Sequence, residues 1–252
     1  MNIVEKSLKH IWYPAARMKD YQHFKPQHIK KAYGSYIEMA DGKNVIDAIS
    51  SWWCKSLGHN HPRLQQVLLE QMSKFEHVMQ PHMAHETIAN LSEKLAGLTN
   101  SLSKAFYASD GSSAVEIALK MSIHAQKNQG HGGRNKFMAL SNGYHGETIG
   151  ALSVSDLGEY TDPYKDMMFK ASFIQELPYI LSKKNSLWAD CSAIWPKVEV
   201  FLDSQADILA AIILEPIVQG SAGMLIYSQD FLKKLSQWTK KNNKDRCTSY
   251  RN

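Results

Sequence analysis

Apolar and polar positions alternate along YIEMADGKNVIDAIS (36–50), on either side of Asp41-Gly42, which predicts a small hairpin with its turn at that dipeptide. Beyond it the apolar spacing changes from two to three and four. Pro62 opens a segment in which Leu64, Val67, Leu68, Gln71, Met72 and Phe75 recur at helical intervals, so an amphipathic helix is predicted there. Ile88, Leu91 and Leu95 mark a second helix that ends near Gly97.

From about residue 104 the pattern becomes a short apolar run, a glycine-containing turn and a helix. KAFYAS (104–109) leads through Asp110-Gly111-Ser112 into SAVEIALKMSIHAQK, and KFMALS (136–141) leads into Asn142-Gly143-Tyr144-His145-Gly146. The most apolar run, ILAAIILEP, covers 208–216. Strands that alternate with helices predict an α/β fold with a parallel sheet, whose ligands gather beyond the carboxyl ends of the strands. The stretch 157–207 has aromatics but weak periodicity, and it reads as an insertion of irregular structure. SQDFLKKLSQWTKKNN (228–243) reads as a capped helix, with Ser228 at the N-cap and Phe231, Leu232, Leu235 and Trp238 facing inward. The expected organisation is an N-terminal segment with the hairpin (1–60), a larger sheet domain (61–243) and a divergent basic tail (244–252).

Composition narrows the class. The 252 residues are 44% hydrophobic and 21% charged, which is the make-up of a globular protein able to bury a core in one large or two modest domains. The formal charge of +5 is local: residues 233–252 carry +6 and everything before them −1, so no basic stripe predicts a nucleic-acid partner. Cys54, Cys191 and Cys247 are widely spaced and form no CxxC pair, which suits free thiols in a reducing compartment. No apolar run approaches the roughly 20 residues of a membrane span, and MNIVEKSLKHIWYP lacks a signal-peptide core, so a cytoplasmic protein is expected.

Four turns carry candidate chemistry. Ser109-Asp110-Gly111-Ser112-Ser113 joins a predicted strand to a predicted helix, where glycine permits close backbone approach and the helix amides favour an anion; it is either a phosphate cradle or a plain Gly turn with a Ser N-cap. Gly143-Tyr144-His145-Gly146 would either project both rings over a ligand or bury the tyrosine in a tight turn. Ser51-Trp52-Trp53-Cys54 sets two indoles side by side, which cannot both point the same way on an extended chain. Glu215 closes the most apolar strand, where a carboxylate often faces a site. Gly58-His59-Asn60-His61 lacks further ligands at a helical spacing, so no metal site is predicted. No GxGxxG, P-loop, GxSxG or HExxH motif occurs, which removes the main support for dinucleotide binding, nucleotide hydrolysis and serine hydrolysis.

Taken in order, HIWYP (10–14), DAISSWW (47–53), GHNHPRL (58–64), ASDGSSAVEIALKM (108–121), NGYHGET (142–148) and ILEPIVQGSAGM (213–224) resemble the biotin-pathway branch of the class III, fold-type I, pyridoxal-phosphate aminotransferases. The resemblance covers about residues 8–242. It implies the large domain of that fold, an incomplete parallel sheet with a small N-terminal hairpin segment, and pyridoxal 5'-phosphate as cofactor. It implies transfer of an amino group from S-adenosylmethionine to 8-amino-7-oxononanoate, giving 7,8-diaminononanoate, by a homodimer. Carried over residue by residue, Gly111 and Ser112 match the phosphate-holding positions and Tyr144 the aromatic stacked on the pyridine ring and near substrate, with His145 beside it. Trp52 matches a substrate-contacting aromatic with Trp53 next to it, and Glu215 matches the acidic residue that ends a central strand.

Two departures stand out. Ala15 replaces the tyrosine that the family often carries after the proline of HIW-x-P, which removes a contact to both substrates. After the helix near Asn243 the family continues into a strand with an Asp for the pyridine nitrogen and later the lysine that holds the cofactor covalently, whereas this chain reads KDRCTSYRN. A truncated product without turnover is the expectation, since amino transfer needs both groups. The alternatives are a noncatalytic binding or interaction fragment and a class III aminotransferase with another substrate.

Overall fold

The computed structural model describes residues 1–99, 102–242 and the backbone of 245–246, and the chain separates into two compact units, Met1–Leu98 and Thr99–Asn252. The boundary expected near residue 60 is not where the chain divides: the two helices after Pro62 group with the hairpin and not with the large sheet.

In the first unit, α1 (Ile3–His10) starts from a reciprocal cap between Asn2 and Glu5. Three antiparallel strands follow, β1 (Ile29–Tyr33), β2 (Tyr36–Met39) and β3 (Asn44–Ile46), with Asp41-Gly42 in the β2–β3 turn, as the alternation predicts. The strand β1 lies before the alternating stretch, where the sequence predicts no strand; its cross-strand partners supply what its own sequence lacks. A single turn, α2 (Ser50–Trp53), precedes α3 (Pro62–Met72) and α4 (Glu86–Gly97), both at the predicted places. Their predicted inward faces are not inward. Leu64, Val67, Leu68, Met72, Leu91 and Leu95 are all exposed, Gln71, Phe75 and Ile88 are half-buried, and no described residue of this unit is buried.

The second unit holds the core. A parallel four-stranded sheet runs in the order β10 (Asp245–Arg246), β7 (Leu209–Ile213), β4 (Lys136–Leu140), β5 (Ser172–Ile174). Alternate residues of β4 serve opposite faces. Met138 and Leu140 pack with Trp195, Val198 and Leu202 of α7 (Trp195–Asp203) and with Phe231, Leu235 and Trp238 of α8 (Gln229–Lys241). Phe137 and Ala139 pack with Val115 and Leu119 of α5 (Gly111–Asn128) and with Ala151 of α6 (Ile149–Ser153). Helices on both faces explain why all five residues of β7 are buried and why its sequence is continuously apolar. A small antiparallel sheet, β6 (Tyr179–Ile180), β9 (Leu225–Tyr227) and β8 (Val218–Gln219), stands beside it.

Three sequence expectations change here. KAFYAS is not a strand: residues 102–108 pair with no described strand, and Phe106 is exposed. The stretch 157–207 is not an irregular insertion, since it supplies the edge strand β5 and the core helix α7; a three-residue strand is too short for periodicity to register. The tail is not wholly separate, since Asp245–Arg246 pairs with Ala211 and Ile212 of β7. Residues 243–244 and 247–252, including Cys247, lie outside the described residues. Among the described residues no helix is long and apolar enough to cross a membrane.

Candidate active site

In the second unit, β4 and β7 are parallel neighbours, so the turns that leave them open on the same edge of the sheet. α5 begins at Gly111, and Asp110 caps it: the Ser113 amide donates to its Oδ1 at 2.8 Å and the Ser113 hydroxyl to its Oδ2 at 2.7 Å. The Ser113 hydroxyl first, and the Ser113 amide next, hold the Asp110 carboxyl below the usual carboxylate range. Gly111 is exposed and Ser112 half-buried, at the positive end of an 18-residue helix.

The turn after β4 closes onto that helix start. The Glu147 amide donates to Ser112 Oγ at 3.1 Å. Gly146 has φ +135°, and a Cβ placed there would lie 2.0 Å from Ser112 Oγ, so only glycine lets the two turns approach this closely. Gly143 is as constrained, since a Cβ would stand 2.9 Å from the Leu140 carbonyl oxygen.

Glu215 ties this turn to the one after β7. It is 6% exposed; its Oε2 accepts the Tyr144 amide at 3.0 Å and its Oε1 the Gly220 amide at 3.1 Å. The Tyr227 hydroxyl donates to the Glu215 carbonyl. Burial foremost, with the Glu215 charge adding to it, pushes the Tyr227 hydroxyl far up. Glu215 therefore sets backbone positions: each of its oxygens accepts an amide, and it orients the residue that carries the Tyr144 ring. That ring is half-buried, with its hydroxyl donating to Glu147 Oε1 at 3.1 Å. His145 lies next to it in the same turn. Its side chain is fully buried and its amide donates to Ser155 Oγ at 2.8 Å.

The sequence reading missed Gln219 and Tyr179. Gln219 is fully buried, donates to the Ser141 carbonyl at 2.7 Å, and accepts the Tyr179 hydroxyl at 2.5 Å. Tyr179 in turn accepts from Asn142 Nδ2 at 2.9 Å. Its hydroxyl is raised, by burial most of all. The available signal was a glutamine four residues beyond Glu215, in a stretch too polar for the core strand it follows.

Trp52 and Trp53 belong to the first unit, and both are exposed, at 65% and 53%. Ser50, Ser51, Trp52 and Trp53 have φ of +49°, +47°, +58° and +66°, so α2 is a turn of left-handed helix. Such backbone costs about 1–2 kcal/mol per residue for L-amino acids. Asp47 anchors it: Oδ1 accepts the Ser51 amide at 3.0 Å, and Oδ2 accepts the Ser51 hydroxyl and His59 Nε2, each at 2.7 Å. The Ser51 amide, then its hydroxyl, then His59 hold the Asp47 carboxyl down to about 2. A carboxylate at that value only accepts, so His59 Nε2 carries the proton.

The arrangement in the second unit suits a phosphate monoester joined to a flat ring. Helix-start amides and the Ser112 hydroxyl offer donors to a dianion, glycine leaves the approach open, and a half-buried tyrosine offers a face. The class III aminotransferase family model matches residues 17–244. The chain is 37% identical over 237 residues to adenosylmethionine-8-amino-7-oxononanoate aminotransferase of Aquifex aeolicus and 38% identical over 243 residues to that of Helicobacter pylori, which takes in 92% and 96% of this chain. It spans about half the length of these relatives, 52% and 54%. The crystal structure of adenosylmethionine-8-amino-7-oxononanoate aminotransferase from Methanocaldococcus jannaschii superposes with a TM-score of 0.88 at 27% identity, over 98% of this chain and 54% of that one. The omega transaminase from Pseudomonas jessenii in complex with PMP shares the fold, with a TM-score of 0.86 at 22% identity over 98% of this chain and 55% of its own. With the family model spanning most of its length and the fold of pyridoxal-phosphate enzymes beneath it, the chain belongs to the class III aminotransferases.

Proposed function

We propose that this chain provides the cofactor-phosphate and substrate-facing half of an aminotransferase that moves an amino group from S-adenosylmethionine to 8-amino-7-oxononanoate, giving 7,8-diaminononanoate. The observation that carries the reading is the junction of Ser112 with the Gly146–Glu147 backbone, which brings a helix start and the Tyr144 turn to one edge of the sheet. The names of the relatives at 37–38% identity support the two substrates.

Gly111 and Ser112 would hold the phosphate of pyridoxal phosphate through backbone amides and the Ser112 hydroxyl, and Tyr144 would stack on its ring. When bound, the cofactor supplies an electron sink for amino-group transfer. Glu215 keeps the Tyr144 backbone in register, while Trp52, with Trp53 beside it, offers an apolar surface to the chain of the acceptor. His145 acts from beneath, as support for the turn.

The test is titration of the chain with pyridoxal phosphate, followed by protein fluorescence. Gly111→Val should weaken binding about tenfold or more, since close backbone approach is what glycine supplies, and Ser113→Ala should stay within about threefold. Equal affinities for the two variants would overturn the phosphate assignment. For the substrates, a change in protein fluorescence on addition of S-adenosylmethionine or 8-amino-7-oxononanoate, and none with alanine, for the chain supplied with cofactor is the supporting result.

A further inference from the structure

The left-handed turn in the first unit is the most strained stretch of backbone described, and nothing in the amino-acid types of Ser50, Ser51, Trp52 and Trp53 favours it. None is glycine, asparagine or aspartate, the residues that enter this region readily. Something outside the four residues must hold them there. Inside the turn, the Trp53 amide donates to the Ile49 carbonyl and the Cys54 amide to the Ser50 carbonyl, each at 2.9 Å. These bonds would form equally well in a right-handed turn, so they do not choose the hand.

The choice comes from the flanks. The Asp47 amide donates to the Ser35 carbonyl at 2.9 Å, which fixes Asp47 to the β1–β2 hairpin. His59 is fixed to the same hairpin by a reciprocal pair with Gly34, at 2.9 and 2.7 Å. That approach needs glycine at position 58, where a Cβ would meet the Gly34 carbonyl oxygen at 3.0 Å and φ is +80°. Both side chains then converge: His59 Nε2 and the Ser51 hydroxyl share Asp47 Oδ2, and the Ser51 amide takes Oδ1. The side chains of Asp47 and His59 are only 7% and 12% exposed, in a unit where no described residue is buried as a whole. The two indoles that follow are exposed.

We propose that Asp47, braced by His59, is a positioning residue that imposes the left-handed turn on Ser50–Trp53 and so fixes the direction in which Trp52 and Trp53 are presented. The substrate consequence rests on the reading of Trp52 as a substrate contact; the turn itself does not. Without the carboxylate the four residues relax toward ordinary backbone, and the order of the two indoles is lost.

The experiment is amide hydrogen exchange of residues 49–55, read by mass spectrometry beside the rest of the chain. Asp47→Ala should speed exchange there about tenfold or more and leave β4 and β7 unchanged. His59→Ala, which keeps both Ser51 bonds, should give a smaller increase, and it remains informative if Asp47→Ala fails to fold. The decisive arm is Ser50→Gly in the Asp47→Ala background. Glycine takes φ of +49° without cost, so exchange should return toward the wild-type rate. A role in general stability would not be rescued at that position. Wild-type exchange in both single variants, or no rescue by glycine, overturns the proposal. Addition of 8-amino-7-oxononanoate separates the two readings. A protection pattern as expected, with no change in Trp fluorescence on its addition, retains the turn as imposed by Asp47 and removes Trp52 as the substrate contact.

Discussion

Glycine at position 146 shows how much a single missing carbon can decide. A Cβ there would fall 2.0 Å from Ser112 Oγ, 2.8 Å from its Cβ and 3.0 Å from its Cα, at a φ of +135°. Gly146→Ala should therefore destabilise the second unit by about 1–3 kcal/mol, read by urea unfolding. Ser112→Gly should recover only part of that loss, because the crowding against the backbone of residue 112 and the unfavourable φ both remain. Buried Cys191 gives a different test. Burial first, then the Asp230 carboxylate, which accepts from its thiol, push Cys191 up to about 11. Iodoacetamide at pH 8 should label exposed Cys54 and spare Cys191 until urea opens the fold, as read by peptide mass mapping. The sign for stability follows: the folded thiol holds its proton longer than an unfolded one of about 8.5, so this contribution declines as pH rises from there toward 11.

Among the elements, α5 depends on its first turn. The lowered carboxyl of Asp110 means that the cap is complete above the unfolded carboxylate value of about 3.9 and is lost as pH falls through its lower folded value. Asp110→Asn, which keeps one acceptor, should flatten the acid side of the melting profile; an unchanged profile would show that the cap does not control it. The start of α5 was legible in the sequence, although Asp110 and not a serine caps it and no described strand leads into it, and so were β4, β7 and α8, whose Ser228 accepts the Phe231 amide at 3.2 Å as expected of an N-cap. The elements that were not legible share a cause. β5 has three residues, and the left-handed turn is imposed by Asp47 from outside the segment, so neither leaves a local pattern to find. KAFYAS carries the composition of a strand without a described neighbour, and a strand exists only as half of a pair.

Across the whole molecule, apolar burial is uneven. Both core clusters lie in the second unit, while the first has hairpin hydrogen bonds and two helices, α3 and α4, whose apolar stripes are largely exposed. Hydrogen exchange should reflect this, with the amides of β4 and β7 opening only at the cost of global unfolding and those of α3 and α4 opening far more easily. Comparable protection in the two units would contradict the assignment of the core. The turns around Gly111, Tyr144 and Glu215 were legible as turns in the sequence, because glycines and the ends of apolar runs mark them. The full burial of His145 was not readable, since the sequence gives its position in the turn and not what packs around it.

The close approach of Ser112 to Gly146 also bears on how such a sequence can drift. A position that admits no additional atom freezes its neighbour too: a threonine at 112 would bring a methyl toward a turn that has no slack, and an alanine at 146 strikes the serine already there. Codons that lie 34 positions apart are thus under joint selection, and in a library that randomises both, the survivors at one should depend on the residue at the other.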